Sequence, residues 1–525
     1  MATSSQLASR PRGRPQRLPV DDTDWTSPDF DSARRVAWLL AVTRLLSPVS
    51  LAGGRAAFIE SMAQHGQRLD TSRVSRLEAG DHLPPAAAIA GYERVTGAPE
   101  GSLQSVSSCL RRMGGPPRQT EKHPLLSTGD LDTIFDRIER RRATGSDWLR
   151  LSWELEDQDR VYLPPSTWAT LTQQLMGELT CSSGLAYVRR HHAATIMLRH
   201  PSGHRHLTLG IGRFVMHPDV QSVAPALSLL KDIPDDSAHD LVVRLMSGSS
   251  PLLRRGAAGV VGALAARDGF LHGDRSQAIE RYLVSELRRP NLVDQHPDVL
   301  DLASRLPADS YKRVLASTED PRTRATVGRA CTSLELVERD MSRSICEAIA
   351  TYAEAASGRA AQDPDQMLRR LLREAMFHLH RDRRELAALV LVASPYARPI
   401  AAACLQATHD LDDTTAGAAW SLLRRLGHVL DRGTVGDVAL AERRPSLHAS
   451  ALIALGLSRG CVSEEMAHHL CRAARAGSGT RLEHAATFAL GMTGHPRLAA
   501  LAADSGPRQQ AARWWASVGP AIHDL

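Results

Sequence analysis

DTSRVSRLEAGDHLPP, residues 70–85, is the stretch on which the fold of this chain turns. Asp70 or Thr71 can N-cap a short helix, after which Val74 and Leu77 face inward three residues apart. Ser72, Arg73 and Arg76 then occupy the opposite face. Gly80 supplies a C-terminal stop, and Pro84-Pro85 prepares the first turn of a second helix in which Ile89, Tyr92 and Val95 recur every three residues. Two short helices therefore flank a sharp break, and the first exposes hydroxyls and guanidiniums. Such a surface suits duplex DNA, because hydroxyls and Arg reach phosphate oxygens while side chains at the helix N-terminus reach base edges.

Upstream, RAAFIESMA (55–63) supplies another amphipathic helix. The run S-R-V-S-R-L-E-A-G, followed by Pro and an apolar helix, resembles the Xre/Cro-repressor helix-turn-helix family, whose motif is Ser-x-x-Ser-Arg-x-Glu-x-Gly. Ser72, Ser75, Arg76, Glu78 and Gly80 match it. The resemblance covers about 80 of 525 residues. It implies that 70–78 is a recognition helix, 55–65 a scaffold helix, 33–46 the first helix and 86–113 the last two. By the same resemblance Thr71, Ser72 and Arg73 face base edges or nearby phosphates, and Ser75 and Arg76 face phosphates. Val74, Leu77 and Gly80 are structural, and Glu78 forms a salt bridge to an Arg of the first helix. Two features depart from the family pattern: the connection Gly66-Gln-Arg-Leu69 is about one residue longer than usual, and Ser47 to Gly54 inserts Pro and Gly before the scaffold helix. Paired half-sites imply a homodimer.

RPRGRPQR (10–17) carries four Arg in eight residues. Its centre, Pro11 to Pro15, resembles the AT-hook core, which implies Arg12 and Arg14 in a minor groove with Gly13 allowing close approach. The same stretch also reads as a charged tail, because three lysines leave nearly all of the 64 basic residues as Arg, a bias expected of a GC-rich bacterial genome. Asp21, Asp22, Asp24, Asp29 and Asp31 then reverse the sign, and residues 1–31 read as a disordered basic then acidic arm.

The chain is long enough for several domains, with a net charge of +6 that permits polyanion binding without requiring it. Aromatics make up 4% while Ala and Leu abound, which predicts an all-α fold. The five-helix unit spans 32–114, and breaker-rich Gly114 to Thr120 opens a linker and mostly helical middle region at 115–219. There 130–142 reads as a helix and Pro165 begins another, while 205–214 is left open between irregular chain and a short hairpin. From about 220 to 525 the sequence repeats itself. RRGAAGVVGAL (254–264), RPIAAACLQA (398–407), SLHASALIALG (446–456), RLEHAATFALG (481–491) and QQAARWWASVG (509–519) share polar starts, small residues and then large apolar ones. They resemble degenerate HEAT-like repeats, which implies an α-solenoid offering a concave surface to a protein partner or for self-association. Trp514-Trp515 reads as the seal of its last repeat.

Seven dispersed cysteines without C-x-x-C argue against a disulfide framework or zinc site, and no apolar run approaches a membrane span. A cytoplasmic protein is expected. His191-His192, His378-Leu-His380 and His468-His469 join no further ligand at a usable spacing, so neither metal nor cofactor is expected. No Lys follows Gly, and neither G-x-S-x-G nor H-E-x-x-H occurs. These readings converge on a non-enzymatic transcriptional regulator that binds double-stranded DNA. A protein-interaction scaffold whose helix-turn-helix docks another regulator is the alternative, and an unusual active site within 125–220 is the third class.

Overall fold

The computed structural model describes residues 17–114, 126–158, 161–233, 235–267, 269–289, 297–360, 362–476 and 480–524. Among these the chain is all-helical: 28 α-helices, two short 3-10 turns and no strand. No single described helix is long and apolar enough to cross a membrane. The first five helices are α1 (Ser32–Leu45), α2 (Pro48–Gln64), α3 (Thr71–Leu77), α4 (Ala86–Thr96) and α5 (Ser102–Gly114).

Each of the five repeated sequence cores forms one helix, the last ending one residue early on Gly519 as its C-cap: Pro251–Ala265, Ala397–Ala407, Pro445–Leu457, Arg481–Thr493 and Pro507–Val518. The last three lie side by side, and shorter helices at Arg432–Ala441, Glu464–Arg475 and Leu498–Ala502 pack on them in turn. The small residues of the cores sit where these helices close on one another. A Cβ on Gly456 would lie 3.1 Å from Ala489 Cα, and one on Gly491 would lie 2.6 Å from the Trp515 ring. Trp515 stacks edge-on against Phe488, while Trp514 faces Phe214 of the middle region. The tryptophan pair thus seals the last helix and also joins it to the middle of the chain.

The stretch 205–214 is helical, within Pro201–Met216. Leu207, Ile211 and Val215 are buried at a spacing of four, and Gly210 lets this helix press against Thr172 of the Pro165–Cys181 helix. Two glycines inside the stretch masked that period. Residues 519–524 then return to the middle region. Ile522 N–H donates to Cys181 O (2.9 Å), and the Asp524 carboxylate bridges Arg190 (2.6 Å) and Arg189 (3.2 Å).

Residues 17–31, read from their charge as part of a solvated arm, lie against the body of the protein. Asp21 is buried and accepts from Arg35 of α1 at 2.7 Å. Arg370 donates to Thr23 O and Arg383 to Asp29 O, at 2.7 and 2.8 Å. Arg35 and Arg383 also cover the Phe30 ring. The stretch adds one carboxylate and several carbonyl acceptors to a cluster of guanidiniums that otherwise shares Glu374, which a count of local charge does not reveal.

Candidate nucleic-acid interface

α3 is short and is made by its caps. The Asp70 carboxylate accepts from Arg73 N–H at 2.7 Å, and Gly66, at φ +77°, turns the chain out of α2 and into the Gln67–Leu69 connection. Val74 is fully buried and joins a core with Phe58, Met62, Ile89 and Tyr92; Leu77 is partly buried beside it. Gly80 ends the turn at φ +84°, where a Cβ would lie 2.8 Å from the Cα of Arg34. It is required both by its left-handed backbone and by the approach of α1.

Glu78 is held from two sides. Arg44 of α1 donates to both its oxygens, at 2.6 and 2.8 Å, and the Tyr92 hydroxyl donates to Oε1 at 2.9 Å. All three residues are buried. Burial and the Glu78 charge push the Tyr92 hydroxyl well above its ordinary range, so it stays a donor. Burial alone would lower the Arg44 pKa, but the Glu78 bond and charge raise it overall. Glu78 therefore ties α3 to α1 and α4 and has no face left for a ligand.

The opposite face of α3 carries Thr71, Ser72, Arg73, Ser75 and Arg76, all exposed. Arg55 Nη1 of α2 donates to Ser75 Oγ at 2.9 Å, and Arg73 Nη1 reaches back to Arg68 O at 3.2 Å. Arg55 and Arg68 thus extend the basic face beyond the residues that the motif names; no motif marks them, since they are adjacent only once α2 and α3 fold together. Glu60, Asp70 and Asp81 lie on the same unit and are exposed, so the surface is a mixed one. Arg12, Gly13 and Arg14 lie outside the described residues, as does most of the linker after Gly114.

The inserted Pro and Gly of 47–54 form an extra turn. Ser47 Oγ caps it, accepting from Ser50 N–H at 3.2 Å, and Gly53 and Gly54 then break the helix, with φ +65° at Gly54. α1 and α2 meet at 107°. The turn leaves Leu51 71% exposed.

α5 begins on a buried carboxylate. Glu93 of α4 accepts from the N–H groups of Gly101, Leu103 and Gln104, at 2.9, 2.6 and 3.0 Å. Burial raises its pKa, against these bonds. The other side of the unit is joined to the body. Arg35 reaches Glu374 at 2.7 Å, Trp38 Nε1 donates to Asp365 at 3.0 Å, and α5 packs on the Gly184–Arg199 and Arg381–Ala393 helices. The outer face of α3 is exposed to solvent. Among the described residues no three His, Cys, Asp or Glu side chains converge as metal ligands. Comparison with family models, with curated proteins and with solved structures gives no match to this chain.

Proposed function

We propose that the chain is a non-enzymatic, DNA-binding transcriptional regulator, an Xre-like helix-turn-helix unit on a body of HEAT-like helical repeats. The observation that carries this reading is the division of labour on α3. Thr71, Ser72, Arg73, Ser75 and Arg76 share one exposed face, while Val74 and Glu78 are consumed in holding the helix. In this reading the N-terminus of α3 enters the major groove, Arg55 joins Ser75 and Arg76 on the phosphates, and Arg12, Gly13 and Arg14 extend along the adjacent minor groove. The repeats serve a protein partner or a second copy.

The test uses the full chain. Selection from random duplex DNA defines a site, and affinity for it is followed against salt for the parent, Arg73→Ala and Arg76→Ala. Loss of a phosphate contact weakens all sequences alike and lowers the salt slope by about 1; loss of a base contact relaxes one position by ~1–3 kcal/mol. Unchanged affinity in both variants rules the assignment out. Docking of another regulator is the second reading, favoured by exposed Leu51 and by Glu60, Asp70 and Asp81 among the arginines. A stoichiometric co-purifying partner, without enrichment of any DNA sequence, is its signature.

A further inference from the structure

Where α5 meets the middle region and the repeats, a cavity opens between four elements. Its walls come from α5, the Gly184–Arg199 helix, the 3-10 turn Ser228–Asp232 and the Arg381–Ala393 helix, with Arg425 at one side. It encloses about 660 Å³ of space, part of it open to solvent. Within it about 40 Å³ is room for water-sized groups; small-molecule sites favour apolar walls with a few converging polar groups, and this cavity has both. Met113, Val188, Leu386 and Leu389 supply the apolar wall.

The polar groups fall into two sets. Glu385 is matched, accepting from Arg381 and Arg425 at 2.9 Å each, and Asp382 is matched by Arg305 at 2.7 Å. The second set is not matched. Asp232 is 7% exposed, yet its Oδ2 is buried with no hydrogen-bond partner. Lys231, beside it on the cavity wall, makes no hydrogen bond or close ion pair among the described residues, and neither does Arg112 of α5. Burial opposes charge on both Asp232 and Lys231, but their neighbours prevail: Arg112 and Lys231 hold the Asp232 pKa down, and Glu385 and Asp232 hold the Lys231 pKa up. Two cations and one anion therefore line the cavity as charged groups without direct partners, a surplus of one positive charge.

We propose that this cavity is a binding site for a small carboxylate that carries an adjacent ammonium or hydroxyl group and a short apolar tail. The carboxylate pairs with Lys231 and Arg112, the adjacent donor satisfies Asp232 Oδ2, and the tail lies along Leu386, Leu389 and Met113. The single surplus charge suits a monoanionic group better than a phosphate dianion, and the apolar wall gives the tail its place. Such a ligand bridges α5 to the Arg381–Ala393 helix, and so the five-helix unit to the body. Its effect on DNA rests on the proposed function; its binding does not.

The test is calorimetric titration of the full chain with four related probes and with inorganic phosphate. The probes are L-leucine, 2-hydroxy-4-methylpentanoate, 4-methylpentanoate, which lacks the donor, and isopentylamine, which lacks the carboxylate. Saturable binding is expected for the first two, at least tenfold weaker binding for 4-methylpentanoate, and none for isopentylamine. Lys231→Met should weaken every carboxylate tenfold or more, whereas Asp232→Asn should weaken leucine and leave 4-methylpentanoate within twofold. Circular dichroism and thermal unfolding check that each variant folds; the wild-type series decides the matter even if one does not. Absence of saturable binding by both leucine and the hydroxy acid, binding of phosphate alone, or equal binding by folded Lys231→Met overturns the proposal. Titrating operator DNA with and without leucine reads the coupling separately, so a failure of DNA binding leaves the calorimetric result standing.

Discussion

α1 and α3 belong to the same five-helix unit and are tied by Arg44 and Glu78, yet they meet opposite surroundings. Of the fourteen residues of α1, eleven are buried, Arg35, Trp38 and Arg44 among them; of the seven in α3, only Val74 is. α1 is a core helix that carries two buried guanidiniums among its apolar residues. Arg35 is paired with Asp21 and Glu374 and the Trp38 indole with Asp365, and the last two lie more than 300 residues away in the chain. α3 is held by its caps, by Val74 in the local core and by Glu78 to Arg44 and Tyr92, all within the same unit. Under the proposed function the contrast separates stability from recognition: substitutions around α1 should cost folding, and those on the outer face of α3 should cost only binding.

The largest effect is expected at Glu374. Its Oε1 accepts from Arg35, Arg370 and Arg383 at 2.7, 3.1 and 3.0 Å, and this surplus of positive charge holds its pKa far below the ordinary range against burial. Glu374→Ala leaves buried guanidiniums uncompensated and should cost about 3–5 kcal/mol in chemical unfolding. A loss below about 1 kcal/mol would show that α1 is not anchored there.

Acid comes next. Burial pushes His191 and His428 down to about 4, against about 6.5 for a free histidine. The unfolded chain therefore binds protons that the folded one refuses. The stability this provides is full above pH 6.5 and is lost as pH falls toward 4, by about 2 kcal/mol per histidine at pH 5. Both belong to the body, outside α3. A thermal midpoint that does not move between pH 7 and 5 would contradict the burial of these rings.

Gly80→Ala should cost about 2 kcal/mol, because it strains a left-handed residue and drives a methyl group into the α1 backbone at Arg34. The smallest effect is expected for Arg76→Ala, within about 0.5 kcal/mol, since the side chain is exposed. If Arg76→Ala unfolds the protein as readily as Gly80→Ala, the outer face of α3 is structural and the comparison with α1 fails.

What could be read in the sequence was what is encoded locally. Asp70, Val74, Gly80 and Pro84-Pro85 specify α3 and its neighbour within sixteen residues, and the repeat cores announce their helices through small-residue spacing. The Glu78 bridge was reached through the family motif, and Arg44 supplies its partner. The anchoring of α1 was not legible, because Arg35 and Glu374 are 339 residues apart and each looks like an ordinary surface charge. The acidic stretch misled for the same reason: Asp21 reads as solvated until Arg35 and Arg370 are placed against it. The cavity needs four separate elements, and nothing in Lys231-Asp232 as a dipeptide distinguishes it from a solvated pair.

The return of residues 519–524 to the middle of the protein also bears on synthesis. Asp524 meets Arg190 across 334 residues of chain. At ribosomal rates of ~5–20 residues per second, that interval lasts on the order of 15–70 s. Throughout it Arg190 has Glu178, at 2.8 Å, as its one acidic partner among the described residues, and the backbone of Cys181 and Ser183 waits for Ile522. The middle region of a nascent chain is therefore a half-closed surface, with one charge and two backbone groups unanswered. That interval gives a chaperone time to act on it, and truncations that remove the last six described residues should leave it in that unfinished state permanently.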